Sequence, residues 1–373
     1  MKRFLLTAVV IFGLACSSVF GMYGADNTWL FFLIHGNQLR ARMNQLGFTL
    51  GNGTIKGTFG FKANTGLTGQ IFTSRGNTNL EATISGGIGY TGDGFGVGVG
   101  YNYTMNNTAN KMVDAHTPVV VFNAVNNNLR VAIPVSISKK DDVGNGKTDY
   151  FGLSIPAQVR YYTGIDAFNY IRFEFNYGQN SYKQANVNYS AKNLSFQLRL
   201  HFLNTIIDNV VVNPFLRIDF ASALDAKGKG VLRDNNGNLT SLTSYIKAWS
   251  VIGMRKASAG QDAYDRNPYD LRILPSISLS VNTDIVNFIF EPGLGYRIED
   301  DGIKGSKLVH SLYWSAYGEV YVRPIEALEW YFEMDVNNGV PKIQTATPNL
   351  PIAFGANTGI TWYLPSLNPN STQ

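Results

Sequence analysis

The sequence contains a single cysteine, Cys16, among its 373 residues. Only 15% of the residues are charged, whereas typical soluble domains contain about 25%. No apolar run reaches the roughly 18 residues that a membrane-spanning helix needs, which excludes a helical membrane protein. Low charge without long apolar runs is typical of strands that face lipid with every second side chain and water with the others.

Residues that could carry chemistry are equally scarce. The 4 histidines have no spacing typical of metal ligands. Gly87–Gly92 matches the glycine spacing of a dinucleotide-binding loop, but a strand rather than a helix follows it. The net charge of +5 is too small and too dispersed to favour nucleic acid as a partner. We therefore predict no enzyme activity, no cofactor, and no catalytic, cofactor-binding or metal-binding residue.

The N-terminus has the pattern of an export signal over residues 1–21. Met1–Arg3 is basic, Phe4–Ala15 is apolar, and residues 19–21 fit a cleavage site that lies after Gly21. A chain cut there contains no thiol. The alternative is lipidation of Cys16, which is disfavoured because Gly13 occupies the position where a leucine is usual.

Alternating apolar residues are clearest between Leu80 and Tyr103. Apolar side chains occupy every second position from Leu80 to Tyr90 and again from Phe95 to Tyr103, and Thr91–Gly94 between them has the composition of a turn. Successive side chains of a strand point to opposite faces, so this stretch predicts an antiparallel hairpin with one apolar face. About ten residues per strand is also the length that crosses a bilayer when tilted.

Similar stretches recur between residues 54 and 364, and their connections alternate between short and long. This alternation is typical of outer-membrane barrels, which have short turns on one side and long loops on the other. The sequence predicts an all-β fold, a transmembrane antiparallel β-barrel of about 14 strands over residues 54–364, followed by a tail at residues 365–373. The strand-like stretch Tyr245–Gly253 could form a further hairpin, so that a barrel of about 16 strands is the alternative. Five prolines fall within predicted strands: Pro134, Pro156, Pro214, Pro275 and Pro292.

The face opposite to the apolar one carries charged residues along most strands. In a dry protein core each such charge would cost several kcal/mol unless paired, whereas the wet lumen of a membrane barrel accommodates charges. We predict that the lumen is lined by Arg130, Arg160, Arg172, Glu174, Arg199, His201, Arg217, Asp219, Arg272, Glu291, Glu319, Glu329, Glu333 and Asp335.

Residues 22–53 have a different pattern. Trp29, Phe32, Leu33 and Leu39 are spaced as on one face of a helix, which predicts a short, partly helical segment outside the barrel. One hypothesis is that this segment acts as a plug against lumen-side glycines, namely Gly87, Gly89, Gly96, Gly98 and Gly100. The alternative is that these glycines only ease the curvature of the strands.

The start of the mature chain resembles a known family. The residues concerned are Phe20–Gly24, His35–Met43, Leu46–Phe48 and Gly51–Phe61. They are similar to the variable surface proteins of Brachyspira spirochaetes. The resemblance implies an abundant, surface-exposed outer-membrane protein whose sequence varies between paralogues, and it brings no catalytic residues. The C-terminus departs from the usual assembly signal of barrels, because Pro365–Gln373 takes the place of a terminal phenylalanine.

These features predict a surface-exposed, variable outer-membrane antigen whose barrel serves as a general pore for small solutes. The expected partners are outer-membrane lipid, host antibodies or surface ligands at the long loops, and further copies of the chain in a homo-oligomer. One alternative function is that of a dedicated outer-membrane transporter gated by its N-terminal segment. Another is that of an exported soluble β adhesin or lipoprotein.

Overall fold

The computed structural model describes residues 38–42, 45–52, 54–63, 81–108, 111–143, 146–184, 187–231, 254–256, 263–325, 328–338 and 352–363. Within these ranges every regular element is a β-strand. No helix among the described residues is long and apolar enough to cross a membrane. The predicted signal peptide with Cys16, the strand-like residues 245–253 and the C-terminal tail lie outside the described ranges.

The strands are β1 (Gln38–Arg42), β2 (Gln45–Gly51), β3 (Ile55–Ala63), β4 (Glu81–Gly92), β5 (Phe95–Thr108), β6 (Lys111–Ala124), β7 (Leu129–Pro134), β8 (Ser136–Lys140), β9 (Lys147–Ile165), β10 (Phe168–Gln184), β11 (Val187–Phe202), β12 (Thr205–Ile207), β13 (Val210–Ala223), β14 (Lys229–Val231), β15 (Met254–Lys256), β16 (Tyr269–Asn282), β17 (Val286–Asp300), β18 (Val309–Ile325), β19 (Leu328–Asn337) and β20 (Ala353–Tyr363).

These strands form one antiparallel sheet in which neighbours along the chain are mostly neighbours in the sheet. β7 and β8 together lie between β6 and β9, and β12 continues β11 alongside β13. The short strands β14 and β15 pair beside β11, so that β13 pairs directly with β16. β1 pairs with β2 and also with β20, where Arg40 lies opposite Tyr363. The predicted all-β fold with antiparallel pairing is confirmed, and each predicted strand is part of the sheet.

The helix predicted within residues 22–53 is wrong for the part that the structure describes. β1 and β2 form a hairpin there, and β2 pairs with β3 so that Phe48 lies opposite Phe59 and Thr49 opposite Thr58. The phenylalanine ring centroids are 6.2 Å apart, and the two threonine Oγ1 atoms are 2.9 Å apart. Residues 45–51 alternate as a strand does, a short signal that the helical spacing of the longer window outweighs. The N-terminal segment therefore adds two strands to the sheet.

The two faces of the sheet differ sharply in exposure. Phe59 on β3 and Ile88 on β4 are 51% and 56% exposed, whereas Thr58 and Ser85 on the same two strands are 5% and 3% exposed. We call the side of Phe59 and Ile88 the apolar face and the side of Thr58 and Ser85 the polar face. A soluble sheet buries its apolar face, so this distribution is reversed relative to a soluble protein.

Two of the predicted long loops, at residues 104–117 and 178–192, are instead the ends of long strands. β5 extends to Thr108 and β6 begins at Lys111, while β10 extends to Gln184 and β11 begins at Val187. The outward positions of β10 change from Ile171, Phe173, Phe175 and Tyr177 to Gln179, Ser181 and Lys183. The apolar alternation therefore ends before the strand does. For this reason the sequence pattern predicts the end of the strand too early. β9 has 19 residues, or roughly 65 Å at about 3.4 Å per residue.

Prolines interrupt the sheet locally. β7 ends at Pro134 and β8 begins at Ser136. Between β16 and β17, only Ser276 lies opposite a partner, Gly293, over the stretch that contains Pro275 and Pro292. Because proline has no backbone N–H to donate to the ladder, these interruptions follow directly from the sequence.

Gly87, Gly89, Gly96, Gly98 and Gly100 of the β4–β5 hairpin lie on the polar face, and three of them, Gly89, Gly96 and Gly98, are buried. A Cβ at Gly96 would collide with the Asn123 side-chain amide of β6. A larger residue at position 96 would therefore displace the Asn123 side chain from its place on the polar face. The plug was predicted for residues 22–53. Of these, residues 38–42 and 45–51 form β1 and β2 of the sheet, and residues 22–37 lie outside the described ranges.

Candidate functional site

Five arginines lie side by side at one height on the polar face. Each comes from a different strand, and each lies directly opposite the next in the order Arg130, Arg160, Arg172, Arg199 and Arg217. We call this set the arginine row. At about 4.8 Å between strands it is about 19 Å wide. Like charges directly opposite one another are destabilising, so the row needs compensation from neighbouring groups.

A second row of polar side chains provides part of that compensation. It contains Gln158, Glu174, Gln197 and Asp219, which also lie opposite one another. Glu174 forms an ion pair with Arg172, and Asp219 lies 2.8 Å from the Arg217 Nε atom. Gln197 accepts a 2.8 Å hydrogen bond from Arg199 Nε. Two carboxylates for five arginines leave this side of the site with excess positive charge.

Aromatic rings contribute further contacts to the arginine row. The Arg130 guanidinium lies 5.3 Å from the centroid of the Tyr162 ring, and that of Arg199 lies 5.6 Å from the Phe215 ring. Such cation–π contacts are worth about 0.5–2 kcal/mol each, depending on desolvation. They hold the guanidinium groups in place without neutralising their charge.

The acidic cluster, which we define as Glu291, Glu319, Glu333 and Asp335, lies on β17–β19. Glu319 lies opposite Glu333, and Tyr317 lies opposite both Glu291 and Asp335. The Glu319 side chain is 3% exposed. Its Oε1 atom accepts a hydrogen bond from the Tyr317 hydroxyl, while its Oε2 atom has no hydrogen-bond partner among the described residues. This side of the site therefore has excess negative charge.

One ion pair connects the two sides. Arg199 Nη1 on β11 lies 3.3 Å from Glu291 Oε2 on β17, although β13 and β16 lie between these strands in the sheet. Three strand spacings in a flat sheet would separate the two backbones by about 14 Å. The contact therefore requires that the sheet curls towards its polar face.

Both sides line one cavity of about 460 Å³. The residues that line it come from strands between β9 and β19. In a flat sheet these two strands would be seven strand spacings, or roughly 34 Å, apart. Serine, asparagine and aromatic side chains make up most of the remaining wall. The charged side chains around the cavity are Arg160, Arg172, Arg199, Arg217, Glu291, Glu319 and Asp335.

His201 lies in the wall of this cavity with its ring held on both sides. The ring centroid is 4.8 Å from that of Tyr170 and 4.8 Å from that of Phe215, and Nδ1 lies 2.6 Å from Asn213 Oδ1. Such packing is typical of a structural histidine. Among the described residues, no group of three or more histidine, cysteine, aspartate or glutamate side chains is arranged to hold a metal ion.

Two predicted lumen residues lie towards the ends of the strands instead. Arg272 pairs with Asp270 at 2.7 Å, and Arg297 also pairs with Asp270 at 2.8 Å. Glu329 pairs with Arg323 at 2.7 Å, close to the end of β18 and the start of β19. These pairs flank the cavity from opposite ends.

The connection before β16 is fixed to the end of β17 by a further pair. Arg266 donates hydrogen bonds of 2.6 and 2.7 Å to the two carboxylate oxygens of Asp300. These hydrogen bonds raise the pKa of the Arg266 guanidinium above its usual value. Nearby, Tyr264 is buried against Ala223 and Ala226.

The structure thus brings most of the predicted lumen residues together. Those that line the cavity are Arg160, Arg172, Arg199, His201, Arg217, Glu291, Glu319 and Asp335. Four others are next to it in the sheet: Arg130, Glu174, Asp219 and Glu333. Sequence reasoning missed Tyr317 and the glutamines Gln158 and Gln197, although their alternate positions relative to the apolar residues carried the signal.

A sheet that exposes its apolar side chains and gathers its charged side chains around a shared cavity defines a class of β protein suited to lipid on one face and water on the other. The chain belongs to the Serpulina hyodysenteriae variable surface protein family, whose sequence model matches residues 2–363. This match confirms the resemblance to variable surface proteins. No curated protein matches the chain.

Two solved structures resemble the chain over most of its length. A bacterial polysaccharide outer membrane secretin is 10% identical, with 89% of this chain and 99% of that chain covered and a TM-score of 0.47. The translocator domain of the autotransporter NalP from Neisseria meningitidis is 14% identical, with 93% and 97% covered and a TM-score of 0.32. Neither similarity is close enough to bear on the function of this chain.

Proposed function

We propose that this surface protein is a closed outer-membrane β-barrel whose charged interior passes small solutes. The observation that carries the proposal is the cavity whose wall takes charged residues from β9, β10, β11 and β13 and from β17–β19. Strands so far apart in the sheet approach one another when the sheet rolls up around its polar face. A polar interior wide enough for water is the usual content of a barrel of this size.

The pairing of β1 supports closure. β1 pairs with β2 on one side and with β20 on the other, so the first and last described strands are joined. β14 and β15 lie outside the ring of pairings, because β13 pairs directly with β16. With β7–β8 and β11–β12 each taken as one interrupted strand, the ring passes through about 16 strands, an even number typical of bacterial outer-membrane barrels. Closure matters because a free strand edge in lipid leaves backbone groups without hydrogen-bond partners, at a cost of several kcal/mol each.

The exposed apolar face supports contact with lipid. Large side chains such as Phe95, Val99 and Leu294 are 50%, 52% and 58% exposed. A soluble protein rarely exposes contiguous apolar surface beyond a few hundred Å². In a bilayer the same side chains face hydrocarbon, and the change from Tyr177 to Gln179 on β10 marks the outer limit of that band.

The orientation follows from the unequal ends of the sheet. Short turns at residues 93–94 and 166–167 lie at one end, together with both described chain ends, Gln38 and Tyr363. The long connection 224–268 and the projecting ends of β9–β11 lie at the other. Since outer-membrane barrels have short periplasmic turns and long outward loops, the latter end is proposed to face outwards and to present the variable epitopes to antibodies or ligands.

Cross-linking β1 to β20 tests closure directly. Ala41 and Trp362 are register partners, and Cα atoms opposite one another in antiparallel strands are about 4.5–5.5 Å apart, within the range of a disulfide. In a chain that begins at Met22 and has no other cysteine, Ala41→Cys with Trp362→Cys should form a disulfide on oxidation, detected by mass spectrometry. Ala41→Cys with Phe354→Cys should not, because Phe354 pairs with Val336 at the far end of β20. Equal cross-linking in both variants would contradict closure.

Planar-bilayer recording tests the pore. Protein folded in detergent should give discrete, steady current steps in salt solution, because an open barrel with a charged interior lets hydrated ions pass. Denatured protein at the same detergent concentration is the control. Absence of steps from protein that shows heat-modifiable gel migration would contradict an open pore, and steps that need removal of residues 22–37 would favour the gated transporter. A chain that stays monodisperse without detergent would instead favour a soluble adhesin.

A further inference from the structure

We infer that the cavity between the arginine row and the acidic cluster selects small zwitterions, an inference that rests on the proposed pore. These solutes are of amino-acid or dipeptide size and carry one carboxylate and one ammonium group. The inference rests on the arrangement of charge around one cavity. Four arginines lie on one side of it and three carboxylates on the other. A solute of either single sign is attracted by one wall and repelled by the other.

The Arg199–Glu291 ion pair explains why both charges are needed. The pair, with an N–O distance of 3.3 Å, crosses the interior between β11 and β17. A solute that enters the gap must separate these two side chains. A simple anion would pair with Arg199 and leave Glu291 without a partner, and an unpaired buried charge is costly. A zwitterion replaces both partners at once, with its carboxylate on the arginine and its ammonium group on the glutamate.

Unused hydrogen-bonding capacity on each wall supports the same reading. On the basic wall, the Arg172 Nε atom is buried and has no hydrogen-bond partner among the described residues. On the acidic wall, the same holds for Glu319 Oε2, on a side chain that is 3% exposed. Both residues line the cavity. A guanidinium donates to carboxylates in a fixed planar geometry, whereas a carboxylate accepts readily from an ammonium group.

The size of the cavity sets the size of the solute. A volume of about 460 Å³ lies within the range of small-molecule pockets, about 300–1,000 Å³. Its uncharged wall is mainly polar, with Ser276, Ser278 and Ser280 on β16. These hydroxyls suit a peptide group better than an apolar side chain, because they can replace the hydrogen bonds that the peptide makes with water.

The test compares four probes of nearly equal size: glycylglycine, its N-acetylated form, its C-terminal amide, and the form with both ends blocked. Binding to folded protein in detergent is measured by calorimetry, and interruption of the channel current is measured separately. Glycylglycine should bind about tenfold or more tightly than each blocked form, since each removes one charged hydrogen-bonded contact. Arg199→Gln and Glu291→Gln should each weaken glycylglycine binding by a similar factor.

Lys229→Gln is the control, because Lys229 lies on β14 outside the cavity, pairs with Asp225 and should leave the binding preference unchanged. Heat-modifiable gel migration confirms folding of every variant. Equal binding of all four probes, or no binding of glycylglycine, would overturn the inference while leaving an open pore intact. Absence of current steps together with the predicted binding order would overturn the pore and retain the binding site. A preference that survives Arg199→Gln and Glu291→Gln combined would also overturn the assignment.

Discussion

Replacing Ile277 with arginine should prevent the purified chain from folding into lipid vesicles. Ile277 lies on the apolar face of β16 and is 44% exposed. At the middle of a bilayer an arginine on the lipid side of a barrel costs about 2–4 kcal/mol, a large share of a typical stability of about 5–15 kcal/mol. The folded fraction, measured by heat-modifiable gel migration and by urea titration in vesicles, should fall accordingly.

The adjacent residue provides the control. Ser278 lies on the polar face of the same strand and lines the cavity, so Ser278→Arg should fold nearly as well as the parent. A soluble sandwich predicts the reverse order, because an exposed Ile277 would tolerate a charge and an enclosed Ser278 would not. Efficient folding of Ile277→Arg would therefore refute the assignment of the apolar face to lipid.

The strands could be predicted from the sequence because their signal is local. Alternation from Leu80 to Tyr90 fixes both the conformation and the choice of face, since side chains alternate along any strand. The same reasoning places Arg172 and Arg199 on the face opposite Phe173 and Leu198, as the structure does. Where both faces are polar, as after Tyr177 on β10, the signal vanishes although the strand continues.

The arrangement of the site could not be predicted, because it depends on register and curvature. Alternation shows that Arg160 and Arg172 share a face, but only the short turn at residues 166–167 and a register irregularity near Tyr170 bring them to one height. The Arg199–Glu291 contact joins residues that are 92 positions apart. Such a contact depends on how far the whole sheet curls, and no local pattern in the sequence carries that information.

Deleting residues 38–51 should prevent assembly of the barrel. These residues form β1 and β2, which lie between β20 and β3 in the sheet. Without them β20 and β3 become edges, and each unpaired backbone group in lipid costs several kcal/mol. The deletion variant should lack a heat-modifiable species after refolding and should remain sensitive to protease along its whole length.

This deletion tests whether β1 and β2 are part of the barrel wall or form a plug in the lumen. If β1 and β2 filled the lumen as a removable segment, the variant would fold and conduct more current than the parent. Deleting residues 22–37 instead leaves both strands in place, so that variant should retain heat-modifiable migration and protease resistance. Restored folding of the 38–51 deletion would require β20 to pair directly with β3, a rearrangement that cross-linking between Ile360 and Phe59, each replaced with cysteine, would detect. We expect no such cross-link, because β1 and β2 separate β20 from β3 by three strand spacings, about 14 Å, and their removal leaves a gap too wide for the two edges to pair.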